Sequence, residues 1–221
     1  MQSTEQRKVT EQIEIHMARK SLYQLLHLLL SKPLTIKTYK EIQEGGNVEG
    51  LLDFDQGGKL LYDFFKTENI EESLKVARED YFRLFVGPAS LPAPPWESVY
   101  RGKEHALFDF PTFEVRQLFQ HFGFEIEKKP NQHVEAEDHI EFELEFMILL
   151  IEKTLREMNG ETIRPLLIGQ RNMIDEHLAL WIPQFTKDIK NNANSTLFLG
   201  IAELLDAFIK FDSQVLNELL S

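Results

Sequence analysis

Apolar residues recur at three- and four-residue spacing along nearly the whole chain, and no stretch alternates at period two for long enough to make a strand. The pattern predicts an all-α protein. A first long helix is expected over residues 4–30, stopped before Pro33, a short one over 35–43 before the Gly45-Gly46 break, and another over 49–65. The next carries its own start signal. Asn69 stands in the cap position, Glu72 follows three residues on as in a capping box, and Ile70, Leu74, Ala77, Tyr81 and Leu84 form one stripe that ends at Gly87-Pro88.

Residues 86–111 then lose the helical period, and a gap of that length is more than compact domains leave unstructured without a use. A short helix is expected over 112–122, closed by Gly123, followed by a polar linker through Lys128, Lys129, Pro130 and Asn131. A long helix starts near Ala136. Its core seam is Ile140, Leu144, Met147, Ile151, Leu155 and Met158, whereas Asp138, Glu141, Glu145 and Glu152 share another face. Residues 163–181 make a further helix ended by Pro183. Leu197, Ile201, Leu204, Phe208, Phe211, Val215 and Leu219 mark the last. The expected arrangement is one compact helical bundle, with an N-terminal half over 1–86, a Pro-rich connecting loop over 87–111 and a C-terminal half over 112–221. A chain of 221 residues with 43% hydrophobic content is large enough to bury such a core.

Charge narrows the function. With 24 Lys and Arg against 36 Asp and Glu, the net charge of −12 argues against a phosphate-neutralising nucleic-acid binder and suits a basic partner, the alternative being that surplus acid only keeps the protein soluble. There is no cysteine, hence neither disulfide nor thiolate metal site. The polar opening MQSTEQRKVTEQIE and the lack of a long uncharged apolar run predict a cytoplasmic protein without membrane insertion.

Catalytic signatures are scarce. A carboxylate di-metal bundle needs Glu-x-x-His pairs, and none of the seven histidines has a glutamate three residues before it. No zinc helix, phosphate loop or nucleophile elbow is present, and His139 with Glu143 offers two ligands at most. The acids Glu135, Glu137, Asp138, Glu141, Glu143 and Glu145 read as the solvated, dipole-favoured start of one helix. A helical hydrolase working with metal or paired acids remains one alternative, and a plain helical adaptor another.

Five stretches in order, YFRLFVGP (81–88), PPWESVYR (94–101), TFEVRQLFQHFGF (112–124), EAEDHIEFELEFM (135–147) and HLALWIPQF (177–185), resemble the successive signatures of the TorD/DmsD family of redox-enzyme maturation chaperones. The likeness covers residues 81–211. It implies an all-helical protein, not an enzyme, that binds the twin-arginine leader and the apo catalytic subunit of a molybdenum-cofactor oxidoreductase. Such a chaperone holds its client for cofactor insertion and prevents premature export. No cofactor is implied beyond the weak guanine-nucleotide binding of some members, and the state is a monomer or a domain-swapped dimer. The resemblance places leader binding on Trp96, Gly123, Asp138 and His139, with Tyr100 and Arg116 in the same motifs. Ala136 stands where the family has proline, which loosens the turn into the helix, and Glu141 where many members have a small residue, which makes the groove narrower and more acidic.

Such a ligand presents guanidinium groups followed by an apolar segment, so its binder needs carboxylates and an aromatic groove. Asp138 with Glu137 and Glu141 supplies the first, and Trp96 and Tyr100, with some of Phe108, Phe110, Phe113, Phe119 and Phe122, the second. Each has a purely structural reading as well: Trp96 as a core plug, Asp138 as a first-turn helix acid, His139 as a packed histidine. His177 and Trp181 are expected to be packing residues.

Overall fold

The computed structural model describes residues 4–45, 48–88, 90–126, 136–157 and 163–221. Ten helices appear among them: α1 (Thr4–Ser31), α2 (Ile36–Gly45), α3 (Gln56–Phe65), α4 (Ile70–Tyr81), α5 (Glu97–Arg101), α6 (Phe110–His121), α7 (Ile140–Arg156), α8 (Ile163–Asn172), α9 (Ala179–Asn192) and α10 (Thr196–Leu220). A 3₁₀ turn precedes α3 at Glu49–Asp53, and wide π turns follow α4 at Phe82–Val86 and α8 at Met173–Leu178. The fold class is all-α, with no strand among the described residues. The linker residues Lys128, Lys129, Pro130 and Asn131, the motif residue Glu135 and the seam residue Met158 lie outside the described residues.

Where the structure departs from the pattern, backbone chemistry decides. The helix expected over 49–65 is broken, because Phe54 turns extended after the 3₁₀ turn and α3 starts afresh at Gln56. Asn69 occupies the cap position of α4, yet its side chain makes no capping bond. Pro183 does not end a helix but lies inside α9, in the first turn after the π stretch, where its missing N–H leaves one helix bond unmade. The irregular segment contains a short helix, α5. The long helix begins at Ile140 rather than near Ala136, because His139 is extended and acts as its cap.

The chain divides into two units, neither a continuous run of sequence: residues 1–28, 96–180 and 210–221 in one, 29–95 and 181–209 in the other. In the first, Ile140, Leu144, Phe146, Met147, Leu150 and Ile151 of α7 are fully buried, and Phe119, Phe124 and Phe146 form a ring cluster with centroids 4.7–5.7 Å apart. Near the end of α10 the buried positions are Asp212 and Leu216, while Phe211, expected in the seam, is exposed. Arg19 explains this. Its guanidinium meets the Asp212 carboxylate at 2.5 and 3.0 Å, and the Tyr23 hydroxyl donates to the same carboxylate at 2.8 Å, so an acid takes a core position.

The second unit packs aromatically. Tyr39, Phe64 and Phe65 touch one another at 5.3–5.8 Å, and Trp181, completely buried, lies 5.1 Å from Phe185, as expected of a packing residue. Asp80 accepts from the backbone N–H groups of Asn194 and Ser195 at 2.8 and 2.7 Å, just before α10 begins. Helix α3 carries Gly57-Gly58 in its first turn because backbone passes there. A Cβ on Gly57 would stand 2.4 Å from the Leu204 nitrogen, and one on Gly58 1.9 Å from the Leu51 oxygen. Gly57→Ala is expected to lower stability by about 1–3 kcal/mol through this overpacking, measured as a fall in the urea midpoint with an unchanged slope.

Candidate functional site

The site lies in the first unit and is assembled by one buried carboxylate. Asp138 is completely shielded from solvent; its Oδ2 accepts from the Ser98 N–H and its Oδ1 from the Thr112 hydroxyl, both at 2.7 Å. Its carbonyl accepts from the Glu97 N–H at 3.0 Å. The first turns of α5 and α6 are thereby pinned to the residue that leads into α7. Asp138 is thus not the first-turn helix acid of its structural reading.

This pairing sets Trp96 beside His139. The two form an isolated antiparallel bridge, and their rings meet edge to face at 5.3 Å. Trp96 is half-buried rather than a complete core plug, and its indole N–H is shut from solvent with no acceptor among the described residues. His139 caps α7: its Nδ1 accepts the Glu141 N–H at 3.2 Å, with the Glu141 carboxylate 4.0 Å away. Burial lowers the His139 pKa to about 4, and a helix start that repels positive charge agrees with a neutral ring. Tyr100 is half-buried on α5.

Arg116 is spoken for. It forms a two-pronged pair with Glu137 at 2.7 and 2.9 Å, stacks 5.2 Å from the centre of the Phe113 ring, and has its pKa raised by the Glu137 hydrogen bonds. Glu137 and Asp138 therefore both have their carboxylates engaged within the chain. Gly123 closes α6 with φ of +65°, its N–H donating to the Gln120 carbonyl at 3.1 Å and the Phe124 N–H to that of Phe119 at 2.9 Å.

The pattern of the sequence did not reveal a pocket of about 620 Å³ in the same unit, lined by Arg101, Glu114, Gln117, Leu118, Asp175, Glu176, His177 and Leu180. Behind it sits Glu97, fully buried, which holds the Arg101 guanidinium on one oxygen and faces His177 Nδ1 at 2.9 Å with the other. Arg101 also donates to the Glu176 carbonyl at 2.9 Å, stands 3.9 Å from the Glu114 carboxylate and lies 5.7 Å from the centre of the Phe110 ring. Glu97 and Arg101 are an i, i+4 pair within PPWESVYR, a spacing visible in the sequence; the partnership with His177, 80 residues on, is not. His177 is buried, as expected of a packing residue, and is also hydrogen-bonded.

Between α5 and α6 the backbone is forced. His105 and Phe108 adopt φ of +51° and +63°, in the left-handed region that bulky side chains avoid. Leu107, Phe108, Phe110 and Phe113 are 37–50% exposed, so part of the aromatic content after the loop is solvent-facing. Phe119 is buried. Among the described residues no group of three or more His, Asp or Glu could hold a metal ion, and no helix is long and apolar enough to cross a membrane.

The profile of the nitrate reductase delta subunit family aligns with residues 52–187, and the chain belongs to that family. Within it, the chain belongs among the TorD/DmsD maturation chaperones, whose members are chaperones and not enzymes. It is 28% identical over 137 residues to the chaperone protein TorD of Vibrio parahaemolyticus, covering 62% of each chain. It is 33% identical over 140 residues to the Tat proofreading chaperone DmsD of Salmonella typhi, covering 63% of this chain and 60% of the relative. Against the perchlorate reductase assembly chaperone protein of Dechloromonas aromatica it is 25% identical over 211 residues, 91% of each. The matched region thus spans less than two thirds of the length of the TorD and DmsD relatives.

Two outcomes follow from the site's construction. Asp138→Ala removes the acceptor of two buried donors and is expected to reduce stability by on the order of 3 kcal/mol in urea unfolding. His139 binds its proton more weakly folded than unfolded, so its contribution is fully present above pH about 6.5 and is lost as pH falls toward about 4. A plot of unfolding free energy against pH should therefore rise between those values, less steeply in His139→Asn, and the His139 ring resonances should stay in their neutral position down to about pH 5.

Proposed function

We propose that this protein is a cytoplasmic maturation chaperone that binds the twin-arginine leader and the apo catalytic subunit of a molybdenum-cofactor oxidoreductase. It holds the client until its cofactor is inserted and keeps it from early export. Membership of a family with chaperones for redox enzymes supports the general reading. The observation that carries the peptide-binding part is the shelf of Leu107, Phe108, Phe110 and Phe113. Four large apolar side chains within seven residues are partly exposed to solvent, and Phe108 is so on a backbone in the left-handed region that bulky residues avoid.

Trp96 and Tyr100, beside and on α5 respectively, and His139 and Glu141, at the start of α7, supply the polar edge of the same reading. Trp96 offers ring surface on which a guanidinium or apolar group can stack, its half-buried indole standing edge to face with His139. Asp138, Arg116 and Gly123 act on this reading as positioning residues: Asp138 fixes the helix starts, Arg116 clamps Glu137, and Gly123 turns the chain after α6. The proline-rich stretch before Trp96 limits the freedom of the loop, which lowers the entropy cost of gripping a flexible segment.

Calorimetric titration with a synthetic twin-arginine leader is the direct test. Binding at micromolar strength is expected, weakening as salt rises past ~0.1 M, where the Debye length is about 10 Å. Trp96→Ala and Phe108→Ser should each weaken it about tenfold, as loss of an aromatic anchor does. A leader that does not bind, or that binds both variants as tightly as the parent, overturns the reading.

A further inference from the structure

Phe110 and Phe113 stand three residues apart at the start of α6, on one side of the helix, and are 37% and 50% exposed. An exposed phenylalanine ordinarily moves among its rotamers, and a peptide that binds it must stop that motion. Here the rings are not left to themselves. A guanidinium lies over each: that of Arg101 is 5.7 Å from the centre of the Phe110 ring, and that of Arg116 is 5.2 Å from the centre of the Phe113 ring.

Both guanidiniums are themselves held. Arg116 forms its two-pronged pair with Glu137 at 2.7 and 2.9 Å. Arg101 donates to the Glu176 carbonyl at 2.9 Å and to Glu97, a fully buried residue whose other oxygen faces His177 Nδ1 at 2.9 Å. The backbone beneath Phe110 is fixed as well, since the Asp109 carboxylate accepts its N–H at 2.7 Å and the Glu104 N–H at 3.2 Å. The same order of support, carboxylate to guanidinium to ring, therefore occurs twice on one short stretch of α6. Its two carboxylates come from separate parts of the chain, one on α5 and one just before α7.

We infer that the Glu97–Arg101 and Glu137–Arg116 pairs are positioning devices that hold the Phe110 and Phe113 rings ready for the apolar segment of the bound peptide. The inference rests on the peptide-binding reading above and adds to it the residues that fix the shelf. The freedom of both rings is given up when the protein folds rather than when the peptide arrives, which lowers the cost of binding. Arg101 and Arg116 act through the rings and not on the peptide.

The experiment is a double-mutant cycle on Arg116 and Phe113, read by calorimetric titration of a synthetic twin-arginine leader into the full chain. Arg116 is chosen because its pair is partly exposed, at 38% and 22%, whereas Arg101→Gln would strand a fully buried carboxylate on Glu97. Phe113→Leu keeps an apolar side chain without the ring. Arg116→Gln and Phe113→Leu are each expected to weaken binding about fivefold, and the double variant to bind no more than about twofold more weakly than Phe113→Leu alone. A purely structural role of Arg116 would instead add its loss to that of Phe113→Leu. Melting temperatures verify that the variants fold. Glu137→Gln, which frees the guanidinium from its anchor, should show the same dependence on Phe113 and carries the cycle should Arg116→Gln melt early. Losses that add, or an Arg116→Gln variant that binds as tightly as the parent, overturn the inference and leave the peptide-binding reading standing. So does a Phe113→Leu variant that binds as tightly as the parent while Trp96→Ala binds more weakly. No binding of the leader to the parent overturns both.

Discussion

The Asp138 carboxylate, closed off from solvent, satisfies a backbone N–H of α5 and a hydroxyl of α6 at once, and the carbonyl of the same residue takes the preceding N–H of α5. A helix of five residues has no stability of its own, so α5 exists because its start is anchored there. The same anchor decides that the chain stays extended through His139 and that α7 starts at Ile140. Trp96 and His139 meet because Glu97 and Asp138 are hydrogen-bonded neighbours. A buried carboxyl group is costly unless it is hydrogen-bonded, and here each oxygen accepts one bond at 2.7 Å. The candidate site is in this sense an outgrowth of one internal acceptor rather than a set of side chains on a prebuilt surface.

Other acids are used the same way. Asp80, Glu97 and Asp212 are buried, and each is met by arginine together with backbone N–H groups, a histidine or a tyrosine hydroxyl. The surplus negative charge therefore has two jobs. One set of carboxylates organises the interior, and the other, with Glu114, Asp175 and Glu176 among it, remains at the surface. Composition alone does not separate them, because what distinguishes the sets is the presence of a donor many residues away.

Helix identity is legible from the period of apolar positions, and so is the closing role of Gly87 and Gly123, whose φ values of +91° and +65° need glycine. Legibility fails where a polar group acts as core. Asp212 takes a position that periodicity assigns to Phe211, because Arg19 and Tyr23 satisfy it from α1. Pro183 reads as a stop in the sequence, since nothing local announces the π turn that precedes it. At the site, PPWESVYR is recognisable as a signature, and Trp96 does stand beside His139. That Asp138 faces inward depends on Thr112, and that Glu97 forms a buried triad depends on His177; both partners lie far along the chain, where spacing rules have no reach.

The Arg19–Asp212 pair joins residues 193 positions apart. Until Asp212 has left the ribosome, Arg19 has a charge with no counter-ion, and the face of α1 that carries it has no place to be buried. The first unit combines residues 1–28, 96–180 and 210–221, so it is not complete until the third of these segments has been made. Closing so long a loop makes its completion a late, high-contact-order event. A unit of this build becomes competent only once residues 210–221 are available, and a product truncated before them would lack the Asp212 partner of Arg19.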